Sequence, residues 1–222
     1  LLFPLKLVIS IIQAFRVLKK FKPNIVVGTG GFASGPLLWV AQLLDLPTIL
    51  QEQNSYPGFT NRILSKNASR ICVAYDGMEK FFPKSKILLT GNPVRSNLVN
   101  LISSEKSKKH FDLNPRIKTL VVLGGSLGSE RINELIKSNL DLFNELDLQV
   151  LWQCGQIYYE KYKKDASNKV VIKPFISKME QLYAAADFII SRAGAGSISE
   201  LSCVGKPILL IPSPNVTANH QY

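Results

Sequence analysis

Long apolar runs, histidine, cysteine and acidic residues are all scarce in this 222-residue sequence, and each scarcity removes a class of protein. The apolar opening, residues 1–12, is interrupted by Pro4 and Lys6 and falls short of the roughly 20 residues that a bilayer span requires. It also lacks the cleavage pattern of a secretory signal. Two histidines, His110 and His220, and three dispersed cysteines, Cys72, Cys154 and Cys203, offer no spacing suited to a structural metal. Each cysteine lies in or beside an apolar run, as reduced core thiols of a cytoplasmic protein do. No Asp-x-Asp pair occurs, so no carboxylate pair is set to hold a metal-bound diphosphate, and neither a metal nor a cofactor is expected. Sixteen acidic residues against 27 Lys and Arg leave a net charge of +11, which draws the chain to an anion. The basic residues are spread thinly, with small groups at Lys19, Lys20, Lys22 and at Lys106, Lys108, Lys109. That distribution disfavours nucleic acid and leaves a phosphorylated substrate or an acidic membrane face.

What is present is an alternation of short β-branched runs with helical patterns, the mark of α/β architecture with parallel sheets. Strands are predicted at 25–27, 48–51, 71–74, 87–90, 119–123, 149–153, 170–172, 188–191 and 208–211, with helices at 36–44, 131–142 and 197–204 among those between them. The pattern lapses into Ser, Lys, Asn and Pro over 98–116, which reads as a linker between a first domain, 1–97, and a second, 117–222. Open α/β sheets bind ligands beyond the carboxyl ends of their strands, so the ligand cleft is expected where two such halves face each other.

Three strand ends run into helices through glycine: Gly28-Thr29-Gly30-Gly31, Gly124-Gly125-Ser126-Leu127-Gly128 and Gly194-Ala195-Gly196-Ser197. Glycine lets backbone approach a ligand, and the helix that follows offers unpaired N–H groups to an anion. Any one loop could simply end a strand; three together favour a phosphorylated ligand. A dinucleotide reading, with Gly28, Gly30 and Ala33 as the fingerprint and Glu52 on a ribose, accounts for one loop of the three. Arg192, Ser197, Ser199 and Glu200 form a further group at a strand end and the next helix start, suited to phosphate and ribose or, equally, to ordinary capping. Asn54 and Arg95 each follow a strand; Arg95 stands just past an Asn-Pro turn, where an arginine can pair with phosphate or sugar.

In order, GTGGFASGP (28–36), QEQNSYPGFTNR (51–62), GNPVR (91–95), GGSLGSERIN (124–133), SRAGAGSISEL (191–201) and NHQ (219–221) resemble the motifs of the MurG family. That resemblance implies a GT-B fold, two Rossmann-like domains with parallel sheets facing a central cleft. It also implies a UDP-N-acetylglucosamine site lined by Asn54, Arg95, Ser126, Ile176, Ala195, Gly196, Ser197, Ile198, Ser199, Glu200 and Gln221. Within it the Ile176 backbone would meet the uracil, Glu200 the ribose, Ser126 the phosphates and Gln221 the donor sugar. Gly28, Thr29, Gly30 and Gly31 would face the pyrophosphate of the acceptor.

The implied reaction is inverting transfer of N-acetylglucosamine to the 4-hydroxyl of a muramyl sugar on undecaprenyl pyrophosphate, lipid I, giving lipid II for peptidoglycan. The family's earlier glycine-rich loop, with its proposed catalytic histidine, would precede Leu1; both ends read as cut, no catalytic base is assigned, and this piece alone is expected to be inactive. His220 reads as structural. Gly128-Ser129 stands where many relatives have Gly-Ala, a tolerable change. A lipid-linked acceptor implies peripheral attachment to the anionic cytoplasmic face of the plasma membrane, for which Lys6, Arg16, Lys19 and Lys20 on an apolar helix are suited. The plainer alternative for that helix is core packing. Two alternative functions remain: another UDP-sugar enzyme of the same fold, such as a 2-epimerase or glycolipid synthase, which GTGGFASGP disfavours, and a non-catalytic binding module.

Overall fold

A computed structural model describes residues 2–98 and 101–214, and the chain falls into two compact units divided between Asn92 and Pro93. The first unit runs α1 (Leu2–Phe21), β1 (Val26–Gly28), α2 (Gly31–Leu43), β2 (Thr48–Glu52), α3 (Phe59–Leu64), β3 (Arg70–Val73) and β4 (Ile87–Leu89), with 3-10 turns at Met78–Lys80 and Lys84–Lys86. Its sheet has the order β1-β2-β3-β4, parallel throughout. Leu38 and Ala41 of α2 close over Leu50, Ile71 and Val73 of the sheet, the near-continuous apolar strand pattern that a parallel sheet demands.

One helix of this unit departs from the sequence expectation. Pro36, which favours a helix start, instead lies inside α2, because the chain turns at Gly30 (φ 83°) and enters the helix at Gly31. Helix α1 places Ala14 and Leu18 in the buried core, with Ile11 packed against it, while Leu5, Val8, Ile9, Ile12, Phe15 and Phe21 are exposed.

The second unit contains a 3-10 turn at Ser96–Leu98, α4 (Ser104–His110), β5 (Lys118–Leu123), α5 (Glu130–Ser138), α6 (Leu140–Glu145), β6 (Leu148–Gln153), α7 (Tyr159–Tyr162), β7 (Val170–Lys173), α8 (Met179–Ala185), β8 (Phe188–Arg192), α9 (Ala195–Val204) and β9 (Ile208–Ile211). The order β7-β6-β5-β8-β9, all parallel, reverses direction between β5 and β8. Strand periodicity assigns side chains to two cores: Val121, Leu123 and Leu151 pack with α8 and α9, while Leu120, Val122 and Trp152 pack with α5 and α7. The helical pattern at 131–142 is broken at Asn139 (φ −118°, ψ 13°) into α5 and α6.

The Ser/Lys-rich stretch 98–116 carries α4, which packs on α8 and buries Ser107 and Lys108. The Lys108 ammonium donates to Asp187 Oδ2 at 2.8 Å and to the Ile117 carbonyl at 2.9 Å, and Asp187 Oδ2 also accepts the Thr119 N–H at 2.8 Å. Composition reads this stretch as solvated; a paired lysine lets it enter the core.

Candidate nucleotide site

The direction reversal at β5 and β8 opens a crevice at the carboxyl ends of those strands, where an open α/β sheet takes its ligand. The two glycine loops of the second unit leave the sheet at those strand ends. Gly128 has φ 81°, and a Cβ there would stand 2.1 Å from the Cys154 carbonyl; a Cβ on Gly155 would meet the Leu127 carbonyl at 2.3 Å. The loop after β5 and the loop after β6 therefore press backbone against backbone, which only glycine permits. Beneath them Asn133 donates to the Cys154 carbonyl and accepts the Trp152 indole N–H, both at 2.9 Å and both buried.

A cavity of about 240 Å³ lies at these strand ends, with Arg95, Ser126, Gln153, Ile176, Ser197 and Glu200 among its lining residues. Gln153 joins two of its walls: its Oε1 accepts the Ile176 N–H at 3.0 Å and its Nε2 donates to the Gly125 carbonyl at 3.2 Å. Helix α9 starts beside the cavity with no side-chain cap on Gly194, and its first ladder bond runs from the Ile198 N–H to the Gly194 carbonyl. The N–H groups of Ala195, Gly196 and Ser197 thus precede the ladder and form the positive end of the helix dipole. One turn in, Glu200 pairs through Oε1 with Arg95 Nη1 and accepts the Tyr183 hydroxyl on Oε2 at 3.1 Å. Burial, and next the Glu200 charge, push the Tyr183 phenol well above its ordinary pKa, so it remains a donor.

Five of the expected donor residues, Arg95, Ser126, Ile176, Ser197 and Glu200, line this one cavity. Ala195, Gly196 and Ile198 form the first turn of α9 beside it. Ser199 directs its hydroxyl back to the Ala195 carbonyl at 2.9 Å, and Arg192 donates to Ser129 Oγ at 2.5 Å and to the Pro212 carbonyl at 2.8 Å. Arg192 therefore ties β8 to its neighbours, which is a tertiary use that the local pattern did not reveal. Gln221 and His220 lie outside the described residues. Gln153 and Tyr183 went unnoticed in the sequence, since each sits in an otherwise apolar run; their signal was one polar group embedded among buried neighbours.

In the first unit, Gly28 closes on Leu38, whose Cδ1 would stand 2.1 Å from an added Cβ, and Gly30 and Gly31 both take positive φ. Thr29, between them, offers its carbonyl to Gln53 Nε2 at 3.2 Å, and Gly31 offers its carbonyl to Thr60 Oγ1 at 3.1 Å. Glu52, only 2% exposed, accepts the Asn54 N–H and amide on Oε1, and the Gly58 N–H and Asn61 amide on Oε2. All of its hydrogen bonds organise the turn that follows β2, so the dinucleotide reading loses the acidic ribose partner it needs. Asn54 belongs to this turn and to the first unit.

Residues 1–73 match the glycosyltransferase family 28 N-terminal domain and residues 119–222 the glycosyltransferase family 28 C-terminal domain. The chain belongs to glycosyltransferase family 28. Within that family it is 50% identical over 222 residues to the UDP-N-acetylglucosamine--N-acetylmuramyl-(pentapeptide) pyrophosphoryl-undecaprenol N-acetylglucosamine transferase of Flavobacterium psychrophilum, covering 99% of this chain and 60% of that protein. The same-named protein of Christiangramia forsetii is 54% identical over 221 residues, again with 99% and 60% coverage. The crystal structure of Acinetobacter baumannii MurG superposes with a TM-score of 0.71 at 30% identity, over 98% of this chain and 60% of that one. A Staphylococcus aureus MnaA-UDP co-structure, at 16% identity over 93% of this chain and 63% of that one, has a TM-score of 0.68 and shares the fold. The MurG resemblance read from six motifs thus holds across nearly the whole sequence, the GT-B class is confirmed, and this family 28 chain spans about 60% of the length of the curated relatives it matches.

Proposed function

We propose that the protein to which this chain belongs transfers N-acetylglucosamine from UDP-N-acetylglucosamine to lipid I, with inversion, to form lipid II. The observation that carries the proposal is the cavity at the carboxyl ends of β5 and β8, where an uncapped helix start and an anchored carboxylate stand together. Such a pair suits a nucleoside diphosphate: N–H groups for phosphate, a carboxylate for ribose hydroxyls. The relatives at about half identity bear the name of this transferase and supply the sugar and the acceptor.

In this mechanism the acceptor 4-hydroxyl attacks the anomeric carbon from the face opposite the leaving UDP. Negative charge gathering on UDP meets the N–H groups of Ala195, Gly196 and Ser197, with the Arg95 guanidinium and Ser126 nearby, and is stabilised as in an oxyanion hole. Glu200 holds the ribose, the Ile176 backbone the uracil, and Ile198 and Ser199 complete the helix start. Gly28, Thr29, Gly30 and Gly31 take the acceptor pyrophosphate.

Attachment to the anionic cytoplasmic face of the plasma membrane accompanies a lipid acceptor. It is supported by an apolar groove of about 470 Å³ in the first unit, lined by Phe3, Leu7, Phe32, Trp39, Phe59 and Ile63, with Phe32 88% and Phe59 73% exposed. Lys6, Arg16, Lys19 and Lys20 share α1 with Phe3 and Leu7, so apolar insertion and lipid charge act together. Among the described residues no helix is long and apolar enough to cross a membrane.

Calorimetric titration with UDP-N-acetylglucosamine and with NADH tests the donor assignment. UDP-sugar binding weakened about tenfold or more by Glu200→Ala, the loss expected for hydrogen bonds to a charged group, with no NADH signal, is the expected result. NADH binding without a response to the UDP-sugar would reject it.

A further inference from the structure

We propose that Tyr183 is a positioning residue which fixes Glu200 for the two vicinal hydroxyls of a ribose, and that it thereby sets the preference of the site for ribonucleotides over deoxyribonucleotides. This rests on the nucleotide reading of the cavity.

Tyr183 is on α8 and Glu200 on α9, and the ring is buried in the core beneath both helices. Its hydroxyl reaches out of that core to Glu200 Oε2 at 3.1 Å, while Arg95 Nη1 takes Oε1. The two anchors differ in rigidity. Arg95 is a long side chain, 52% exposed, whereas the Tyr183 side chain is fully buried. An ionised carboxylate offers about four acceptor positions, two on each oxygen. With one position on each oxygen engaged, one on each remains, the number that two neighbouring hydroxyls require. Burial and the Glu200 charge keep the phenol protonated, so the orientation persists through the neutral range. Without the Tyr183 hydroxyl, Glu200 keeps only the mobile anchor and swings toward Arg95, and the pairing with a diol loses its geometry. A site built to bond a hydroxyl discriminates strongly against a ligand that lacks it, and a loosened site discriminates weakly.

Binding of UDP, 2′-deoxy-UDP and 3′-deoxy-UDP is measured on wild type and Tyr183→Phe, with thermal unfolding followed in parallel. The wild type is expected to disfavour the poorer deoxy analogue by about tenfold or more, and Tyr183→Phe to reduce that ratio to about two- or threefold. Deletion of one hydroxyl from a retained ring should leave the unfolding midpoint within a few degrees. A purely structural role would weaken all three ligands alike, and either that result or an unchanged ratio overturns the proposal. Should Tyr183→Phe fail to fold, the ratio is read on Glu200→Asp, whose shorter side chain withdraws the carboxylate from the phenol; a wild-type ratio there overturns it as well. A wild type that binds none of the three refutes the nucleotide reading itself, so the two failures are distinct.

Discussion

Glu52 and Gly128 each do one thing that no other residue type could do in their place. Glu52 is a buried carboxylate with four hydrogen-bond donors around it, on Asn54, Gly58 and Asn61. Its amide counterpart would turn an N–H₂ toward two of those donors, since each oxygen accepts from two. Glu52→Gln is therefore expected to destabilise the first unit by about 2 kcal/mol, the penalty for an unsatisfied buried group, read as a shift in urea midpoint at constant slope. Gly128 carries both a positive φ and a backbone contact that excludes a Cβ. Gly128→Ala must displace the loop that carries Ser126, at a cost of more than about 2 kcal/mol. UDP affinity should fall along with the thermal midpoint; full affinity in a stable variant would mean that the loop plays no part in the site.

At the scale of elements, α4 packs on α8 and pairs its buried Lys108 with Asp187, and the stability of that attachment should be pH-dependent. Burial raises the Asp187 pKa, but the hydrogen bonds from Lys108 and the Thr119 N–H, with the charges of Lys108 and Lys206, outweigh it, so the folded value lies below the ordinary carboxylate range. A depressed carboxylate stabilises the fold above its unfolded pKa, about 3.9, and that contribution is lost as pH falls through the folded value. Lys108→Met should lower stability by about 2 kcal/mol at neutral pH and flatten the acid limb of a urea-midpoint profile. An acid limb that keeps its wild-type slope would place the dependence on other carboxylates. Helix ends repeat one device: Asp45, Asp112 and Asp147 each take positive φ just past α2, α4 and α6, a conformation that short polar side chains tolerate better than most.

For the whole molecule, the proposed attachment to an anionic lipid surface draws on a formal charge of +11 and on the exposed aromatics of the first unit. Phe32, at 88% exposure, can be changed without touching a core. Phe32→Glu is expected to lower partitioning onto vesicles containing acidic phospholipid by about tenfold, from lost apolar burial and added repulsion, and salt should weaken wild-type partitioning. Partitioning equal to wild type, or insensitive to salt, would exclude this face as the membrane contact.

Strand periodicity and glycine punctuation were enough for the α/β class, the nine strands of the described residues and the glycine loops, because both are local consequences of pleat geometry and backbone sterics. The sequence by itself also carried the family, since six ordered motifs need no coordinates to be compared. Tertiary structure decided what each polar group does. Glu52, offered as a ribose partner in the dinucleotide reading, and Arg192, open to phosphate or capping, are bonded within the protein, whereas Gln153 and Tyr183, which no motif singles out, hold the walls and the carboxylate of the cavity. A hydrogen bond depends on which atoms meet in space. Tyr183 and Glu200 stand 17 residues apart in the chain, and only the packing of α8 beside α9 brings the phenol to the carboxylate.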